Sequence, residues 1–467
     1  MEPFSVSKIK EAVNGSTRLK KYDRVTIDGV SIDSREEQEG KLFVAIAGEQ
    51  TDGHEYIGAA IEKGASAVLS EKTEEELGLN TGKPFIVVES ARTALKELAK
   101  AYIKTFDIPI VAVTGSVGKT TTKDIIASVM STEYKTLKTE GNYNNEIGLP
   151  LTVFRLDKSY KAAVFEMGMR HSGEIHALAD IVRPNICVIT NIGYSHVENL
   201  VSRQGIFLAK SEILDFRDKD TKVIVNGDDD LLCTLPKKFP NVPISFFGVN
   251  NKKNRFYAED IKEKGLYGVS CAVCYDGERF QAQISHPGRH MVRNALAAAA
   301  VGVTLGIDPR SIKNGIENFR ASKMRMDIIN TQNGITVIDD TYNASPDSVA
   351  AAISVLSVVK TRKICILGDM LELGEDSPIH HYTTGKDAAL AGIDTVLCVG
   401  SLSENTYKGV SAYIKGNQRA FYFETRDDLE NSIFNYVTEG DTVLIKASRA
   451  MELEKITEIL QKGKGEV

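Results

Sequence analysis

The chain has 467 residues, enough for about three domains, and its 42% hydrophobic and 26% charged content is that of an ordinary soluble globular protein. A net charge of −6 argues against a broad nucleic-acid surface, so any anionic substrate must be held by local cations or metals. Met1-Glu2-Pro3-Phe4 is not a secretory start, no apolar run is long enough to span a membrane, and most of the cysteines sit singly in apolar runs, as in a reduced cytoplasmic protein.

In chain order, residues 1 to about 82 alternate short strands and helices. Residues 24–32 and 41–47 read as strands and 55–63 as a helix, with polar loops at Asp33-Ser34-Arg35 and Thr51-Asp52-Gly53-His54. Helical spacing of Leu95, Leu98, Ala99, Tyr102 and Ile103 predicts a helix over 92–106. Next comes the most informative stretch. Residues 108–113 are an apolar, β-branched run suited to a buried strand, followed at once by Gly115-Ser116-Val117-Gly118-Lys119-Thr120 and a helical continuation. Strand, glycine loop and helix aim several backbone N–H groups at one point, where a helix N-terminus favours negative charge. Lys119 would add a cation for phosphates and Thr120 a hydroxyl for magnesium. The full P-loop pattern wants glycine where Val113 stands, so a tight turn with a surface lysine is the competing reading.

Beyond the loop the pattern stays α/β to about residue 320. Strands are predicted at 162–166, 186–192 and 222–225, helices at 173–182 and 205–216, and a hairpin over 266–284 around Asp276-Gly277. An alanine-rich helix covers 290–305, and Asp308-Pro309 opens another with its cap and first-turn proline. From about 321, strands at 335–338, 364–367, 395–399, 420–423 and 442–445 alternate with helical patterns, which predicts a doubly wound, largely parallel sheet. The acidic runs 74–76 and 228–230 and the lysine pairs 237–238 and 252–253 read as solvated faces. Cys271-Ala-Val-Cys274 is a lone CxxC and reads as core.

Ligands gather at the carboxyl ends of parallel strands. Glu166, Thr190-Asn191 and His196 fall there, yet Glu166 reads equally as a salt-bridge partner and His196 as a surface histidine. Lys210, on a helix with Glu212 nearby, reads as a solvated cation. Gly141-Asn142-Tyr143-Asn144-Asn145 reads as turn chemistry or as a substrate loop. His290 and Asn294 share one helix face, with ordinary structural readings available to both.

Taken jointly, the strings resemble one family. TGSVGKTTTKD (114–124), GNYNNEIGLP (141–150), Glu166-Met167-Gly168, TNIGYSH (190–196), AKSEI (209–213) and GRHMVRNALAA (288–298) match the Mur ligases in order and spacing. So do DDTYNASP (339–346), GDMLELG (368–374), KASRAME (446–452) and the pair Asp33–Arg35 and Asp52–His54, so the resemblance spans essentially the whole chain. It implies three domains: a small α/β domain with a linker helix (1–106) for the UDP end of the substrate, a central P-loop α/β domain (107–320) for ATP, and a Rossmann-like domain (321–467) for the incoming dipeptide. Asn144-Asn145, YNASP and GDMLELG resemble the member that joins D-alanyl-D-alanine to UDP-N-acetylmuramoyl-tripeptide, as a cytoplasmic monomer with no nucleic acid or membrane partner.

Position by position, the resemblance implies that Gly115, Ser116, Val117, Gly118, Lys119, Thr120 and Thr121 hold the phosphates of ATP. Thr120 and Glu166 would ligate one of two magnesium ions, with His196 near the second, and Lys210 would carry a carbamate made from CO2. Asn294 would contact adenine, while Arg325 and Asp340 would reach ATP from the third domain. Ser34, Arg35, Asn142, Asn144, Asn145 and Ser448 would contact substrate. Two departures stand out: Ala447 where glycine is usual, and Val117 where a smaller or polar residue is usual.

Overall fold

Why the chain folds as three α/β units follows from its apolar runs. Ile110–Thr114, Ala162–Glu166 and Ile186–Ile189 are buried along their whole length, as parallel strands covered by helices on both faces must be. The computed structural model describes residues 1–17, 24–48 and 51–463. Among them lie a five-stranded sheet at the N-terminal end, a nine-stranded sheet in the middle and a six-stranded sheet at the C-terminal end, with one small two-stranded pairing.

The predicted strand over 24–32 is in fact two. Thr26–Ile27 pairs with Phe4–Ser5, and Gly29–Ser31 pairs with Lys41–Val44 in the five-stranded sheet. The break falls at Asp28, whose N–H donates to the Gly40 carbonyl (3.0 Å). The linker helix runs Ala91–Ile103, capped by the Ser90 side chain at the Thr93 N–H.

In the middle sheet the P-loop strand Ile110–Thr114 lies between Ala162–Glu166 and Ile186–Ile189, parallel to both. In register Glu166 faces Val113 and Ile189 faces Thr114, so the three strands end at one level. The chain crosses from one side of the P-loop strand to the other here, the reversal of order at which open α/β sheets bind ligands. The hairpin predicted around Asp276-Gly277 is present as Val269–Tyr275 and Glu278–Ile284. The structure adds two neighbours that the pattern does not announce, Ile244–Gly248 and Phe256–Glu263. Cys271 and Cys274 lie three apart on one strand and so on opposite faces, which rules them out as a metal pair. Five cysteines are buried, Cys233 is exposed, and all six are free.

The helix His290–Thr304 packs against the P-loop helix Lys119–Met130 in one apolar core. Ala295 and Ala297–Ala300 are fully buried there, so alanine serves close helix approach. In the third sheet Thr336–Asp339, Thr442–Lys446, Lys363–Gly368, Thr395–Val399 and Arg419–Phe423 are parallel neighbours, as the alternation predicts. An antiparallel edge strand, Asp327–Asn330, is added.

The run Asp228-Asp229-Asp230 is not a solvated face. Asp229 accepts from the Ile192, Leu231 and Leu232 N–H groups, Asp228 from those of Val249 and Asn250, and Asp230 pairs with Arg203 at 2.6 Å. Lys237, Lys238, Lys252 and Lys253 are exposed as expected. No described helix is long and apolar enough to cross a membrane.

The packing under the P-loop helix is tight enough to test. A methyl group at Gly315 would stand 2.4 Å from Val129 Cα, and Ser128 Oγ donates to the Gly315 carbonyl (2.7 Å). Gly315→Ala should therefore destabilise the protein by about 1–2 kcal/mol, overpacking outweighing the gain in helix propensity. A urea midpoint equal to the wild type would show that the two helices can part at no cost.

Candidate active site

The glycine loop is shaped by the strand beside it. Gly115 has φ 149°, and a Cβ there would fall 1.9 Å from Thr190 Oγ1, so only glycine lets the two backbones meet. Gly118, at φ 82°, starts the helix Lys119–Met130. Thr190 Oγ1 donates to the Val117 carbonyl (2.7 Å), Val117 N–H donates to Asn191 Oδ1 (2.9 Å), and Gly193 N–H donates to Ser116 Oγ (2.9 Å). These bonds use the backbone of Val117, so its unusual side chain leaves the loop intact. The loop is strapped to the next strand's end, and its lysine is not on the surface as the competing reading has it.

Charges converge on it. Lys119 Nζ donates to the Gly115 carbonyl at 2.8 Å, and burial lowers its pKa while Glu166 opposes the shift. Thr120 is 6% exposed, and its Oγ1 accepts from Arg325 Nη2 at 3.2 Å. Thr121 is half-buried beside it on the cleft wall. Arg325 comes from the third unit and lies over the Tyr342 ring at 3.9 Å. Glu166 is buried. Its Oε1 accepts from Asn144 Nδ2 (2.8 Å), while its Oε2 has no hydrogen bond and stands 4.0 Å from Lys123 Nζ.

An unsatisfied buried carboxylate oxygen beside a threonine hydroxyl and a phosphate loop is a donor set that suits a hard divalent cation. Those residues fit magnesium, with Thr120 and Glu166 as the oxygen donors.

Lys210 is not the solvated cation that its helix position suggests. It is 1% exposed, and no described carboxylate lies within ion-pair reach. Burial, reinforced by repulsion from Lys119, pushes its amine well below the ordinary lysine range. His196, at φ 66°, is half-buried with Nδ1 2.6 Å from Glu372 Oε2. Asn294 is buried, and its Oδ1 lies 3.2 Å from where a Gly118 Cβ would stand. Burial takes neighbouring His290 down to about 4.

Asp340 is engaged on both oxygens: Met326 N–H donates to Oδ1 (3.2 Å) and Lys446 Nζ to Oδ2 (2.6 Å). The 141–145 loop divides its labour. Asn145 Oδ1 accepts from the Ile147 and Gly148 N–H groups, which is turn chemistry, Asn144 holds Glu166, and Asn142 is exposed on the cleft wall. Ser448 Oγ accepts from Leu371 N–H at 2.9 Å, also on the wall. Ala447 packs into space left by Gly368, where a Cβ would meet its own at 2.6 Å.

Ser116 to Thr121, Asn142, Asn144, Asn145, Glu166, His196, Asn294, Arg325, Asp340 and Ser448 line one cleft of about 1360 Å³ between the second and third units, whereas Gly115, Lys123, Lys210 and Ala447 do not. Ser34 and Arg35 lie off its wall, in the N-terminal unit. Ser34 is buried, and exposed Arg35 is clamped by Asp33 at 2.6 Å. The sequence gives no role to Lys123, Tyr342 or Glu372, and only the motifs that contain Tyr342, Glu372 and Lys446 hint at them. Lys123 carries no such signal: it is a buried lysine one helical turn past Lys119, donating to the Thr139 carbonyl at 2.7 Å.

Comparison with known proteins follows the same three units. The Mur ligase middle domain matches residues 113–302, the Mur ligase glutamate ligase domain 324–449, and the Mur ligase family catalytic domain 26–103. The UDP-N-acetylmuramoyl-tripeptide–D-alanyl-D-alanine ligase of Bacillus subtilis (strain 168) is 36% identical over 98% of either chain. The chain belongs to the Mur ligase family. Its structure is similar to MurF from Acinetobacter baumannii, with a TM-score of 0.91 at 28% identity over 99% of this chain and 100% of that one. It is also similar to MurF ligase from Thermotoga maritima in complex with ADP, with a TM-score of 0.79 at 27% identity, covering 93% and 97% of the two chains.

In this Mur ligase the unpaired Lys210 has a thermodynamic signature. Its folded pKa is depressed, so the unfolded chain binds the proton more tightly and stability rises with pH toward the ordinary value of 10.5. In CO2-depleted buffer Lys210→Met should be more stable than the wild type at pH 7, with the gap closing toward pH 10. Equal stability of the two proteins across that range would mean that the amine is solvated after all.

Proposed function

We infer that this Mur ligase joins D-alanyl-D-alanine to UDP-N-acetylmuramoyl-tripeptide with ATP as the energy source, making the pentapeptide precursor of peptidoglycan. Full-length likeness to proteins of that name supports the reading, and the observation that carries it is the strapped loop with Glu166 and the buried Lys210 behind it. The central unit takes ATP, as the ADP complex of the Thermotoga relative suggests. Residues 1–106 take the UDP end through the Ser34–Arg35 loop, and 321–467 take the dipeptide near Ser448. The enzyme works in the cytoplasm as a monomer, in keeping with its six free thiols.

A peptide carboxylate is a poor electrophile and needs activation. One carboxylate oxygen attacks the γ-phosphorus of ATP, the bond to ADP breaks, and an acyl phosphate results. The dipeptide amine then attacks the acyl carbon, loses a proton, and expels phosphate carrying one former carboxylate oxygen. The first step brings an anion against a triphosphate. At 4 Å and an effective dielectric near 20, each such charge pair is worth roughly 4 kcal/mol, more repulsion in total than Lys119 alone offsets.

Magnesium held by Thr120 and Glu166, with His196 and Lys210 near a second ion, would supply the missing positive charge. Arg325 and Lys119 orient the phosphates, and Asn144 fixes Glu166. The low proton affinity of Lys210 favours its neutral amine, the form that adds to CO2, releases a proton and becomes an oxygen-donor carbamate.

Phosphate should be released from ATP only when UDP-muramoyl-tripeptide and D-Ala-D-Ala are both present, one per pentapeptide formed. With 18O in the tripeptide carboxyl, one label per turnover should appear in that phosphate. Label-free phosphate, or equal turnover with a single amino acid as acceptor, would overturn the assignment. Lys210→Ala should be nearly inactive and partly restored by short carboxylates, and wild-type rates in that variant would remove the carbamate.

A further inference from the structure

One contact across the boundary between the central and third units has left-handed backbone at both ends. His196 has φ 66° and Glu372 φ 62°, a conformation that residues other than glycine seldom adopt without a reason in their surroundings. His196 Nδ1 stands 2.6 Å from Glu372 Oε2 as an ion-pair contact, with the ring turned off hydrogen-bond alignment, and Arg170 Nε lies 3.6 Å from Glu372 Oε1.

The loops that present them are seated on each other. The Tyr194 ring lies 5.2 Å from His380, and a side chain at Gly374 would meet the Glu198 backbone at 3.4 Å. The Glu372 loop is also tied to its own unit. Leu371 N–H donates to Ser448 Oγ (2.9 Å) and Met370 N–H to His381 Nε2 (3.0 Å). His196, ahead of Arg170 and His171, holds the Glu372 carboxyl below its usual range.

We propose that Glu372 is a positioning residue for His196, supplied by the third unit to an imidazole of the central one. A carboxylate against one ring nitrogen fixes the ring and leaves the other, Nε2, to serve the cleft. Docking of the third unit and orientation of His196 thereby become one event. The proposal rests on the reading of His196 as part of the phosphate and metal site.

The test compares the wild type with isosteric Glu372→Gln, conservative Glu372→Asp and a distant control, Glu404→Gln. The 15N imidazole resonances of His196, assigned with His196→Gln, should shift in Glu372→Gln with ADP and Mn2+ present and stay in place in the control. Mn2+ binding with ADP should weaken, and kcat should fall about tenfold with KM for ATP within twofold, the Asp variant recovering part of both. Unmoved His196 resonances in Glu372→Gln, or metal binding and kcat equal to the wild type, would overturn the proposal. Should that variant lose its thermal transition, Glu372→Asp, which draws the carboxylate back by one methylene, reads the same contact, and unmoved His196 resonances there decide equally against it. A shift of the His196 resonances in a protein that failed the pentapeptide assay would retain the positioning role and sink the ligase reading alone.

Discussion

Everything at the catalytic level depends on how closely the strand Ile110–Thr114 and its neighbour Ile186–Ile189 come together at their ends. With no side chain at Gly115, the Thr190 hydroxyl occupies that space and bonds the Val117 carbonyl. The loop is thus held by side chains of the next strand as well as by its own turn, so its N–H groups are aimed before any phosphate arrives. Preorganised dipoles of this kind cost no reorganisation at the moment of reaction. The parallel register carries the same rigidity to Glu166, whose N–H donates to Thr139 Oγ1 at 3.0 Å.

That frame tolerates charges that would otherwise oppose folding. Lys119, Lys123, Lys210, Glu166 and Asp124 share the space around the P-loop helix, and burial penalises each ion that lacks a partner. Where a structural role suffices, the pairing is complete: Asp124 accepts from Lys138 Nζ (2.6 Å) and Ser322 Oγ (2.8 Å). Where chemistry is expected, it is left incomplete at Glu166 Oε2, and Lys210 is buried with its proton affinity lowered. The contrast between satisfied and unsatisfied groups a few ångströms apart separates site from scaffold more sharply than burial alone.

Much of this is legible in the sequence, and what is not has physical causes. The central strands of the third unit and the helix His290–Thr304 announce themselves because an element covered on both sides reads as a nearly continuous apolar run. Phe256–Glu263 is silent because its exposed face carries Glu259, Asp260 and Lys262, and a register shift interrupts its alternation. The split at Asp28 is likewise invisible, since both pieces are too short to show a period. At the site, motif spacing places Lys119, Thr120 and Glu166 together, but not their burial. Lys210 looks like a solvated cation on helical spacing and is as fully buried as Lys123. Asp228 to Asp230 look like a charged surface because a sequence does not show which backbone N–H groups a carboxylate will meet.

The cleft itself belongs to no single unit. Arg325 reaches Thr120 from the third unit, and the residues on either side of it, Met324 at φ 61° and Met326 at φ 52°, are both left-handed. Two unfavourable conformations one residue apart persist only if the surroundings overdetermine them, and here the Tyr342 ring, the Asp340 carboxylate and Thr120 all fix the segment. Ser322, three residues before Arg325, adds a bond to Asp124 on the P-loop helix. The P-loop helix therefore meets the third unit through both Asp124 and Thr120. A reaction whose activated acid is prone to hydrolysis gains from such an arrangement, because residues of two units close on one cleft and exclude water from it together.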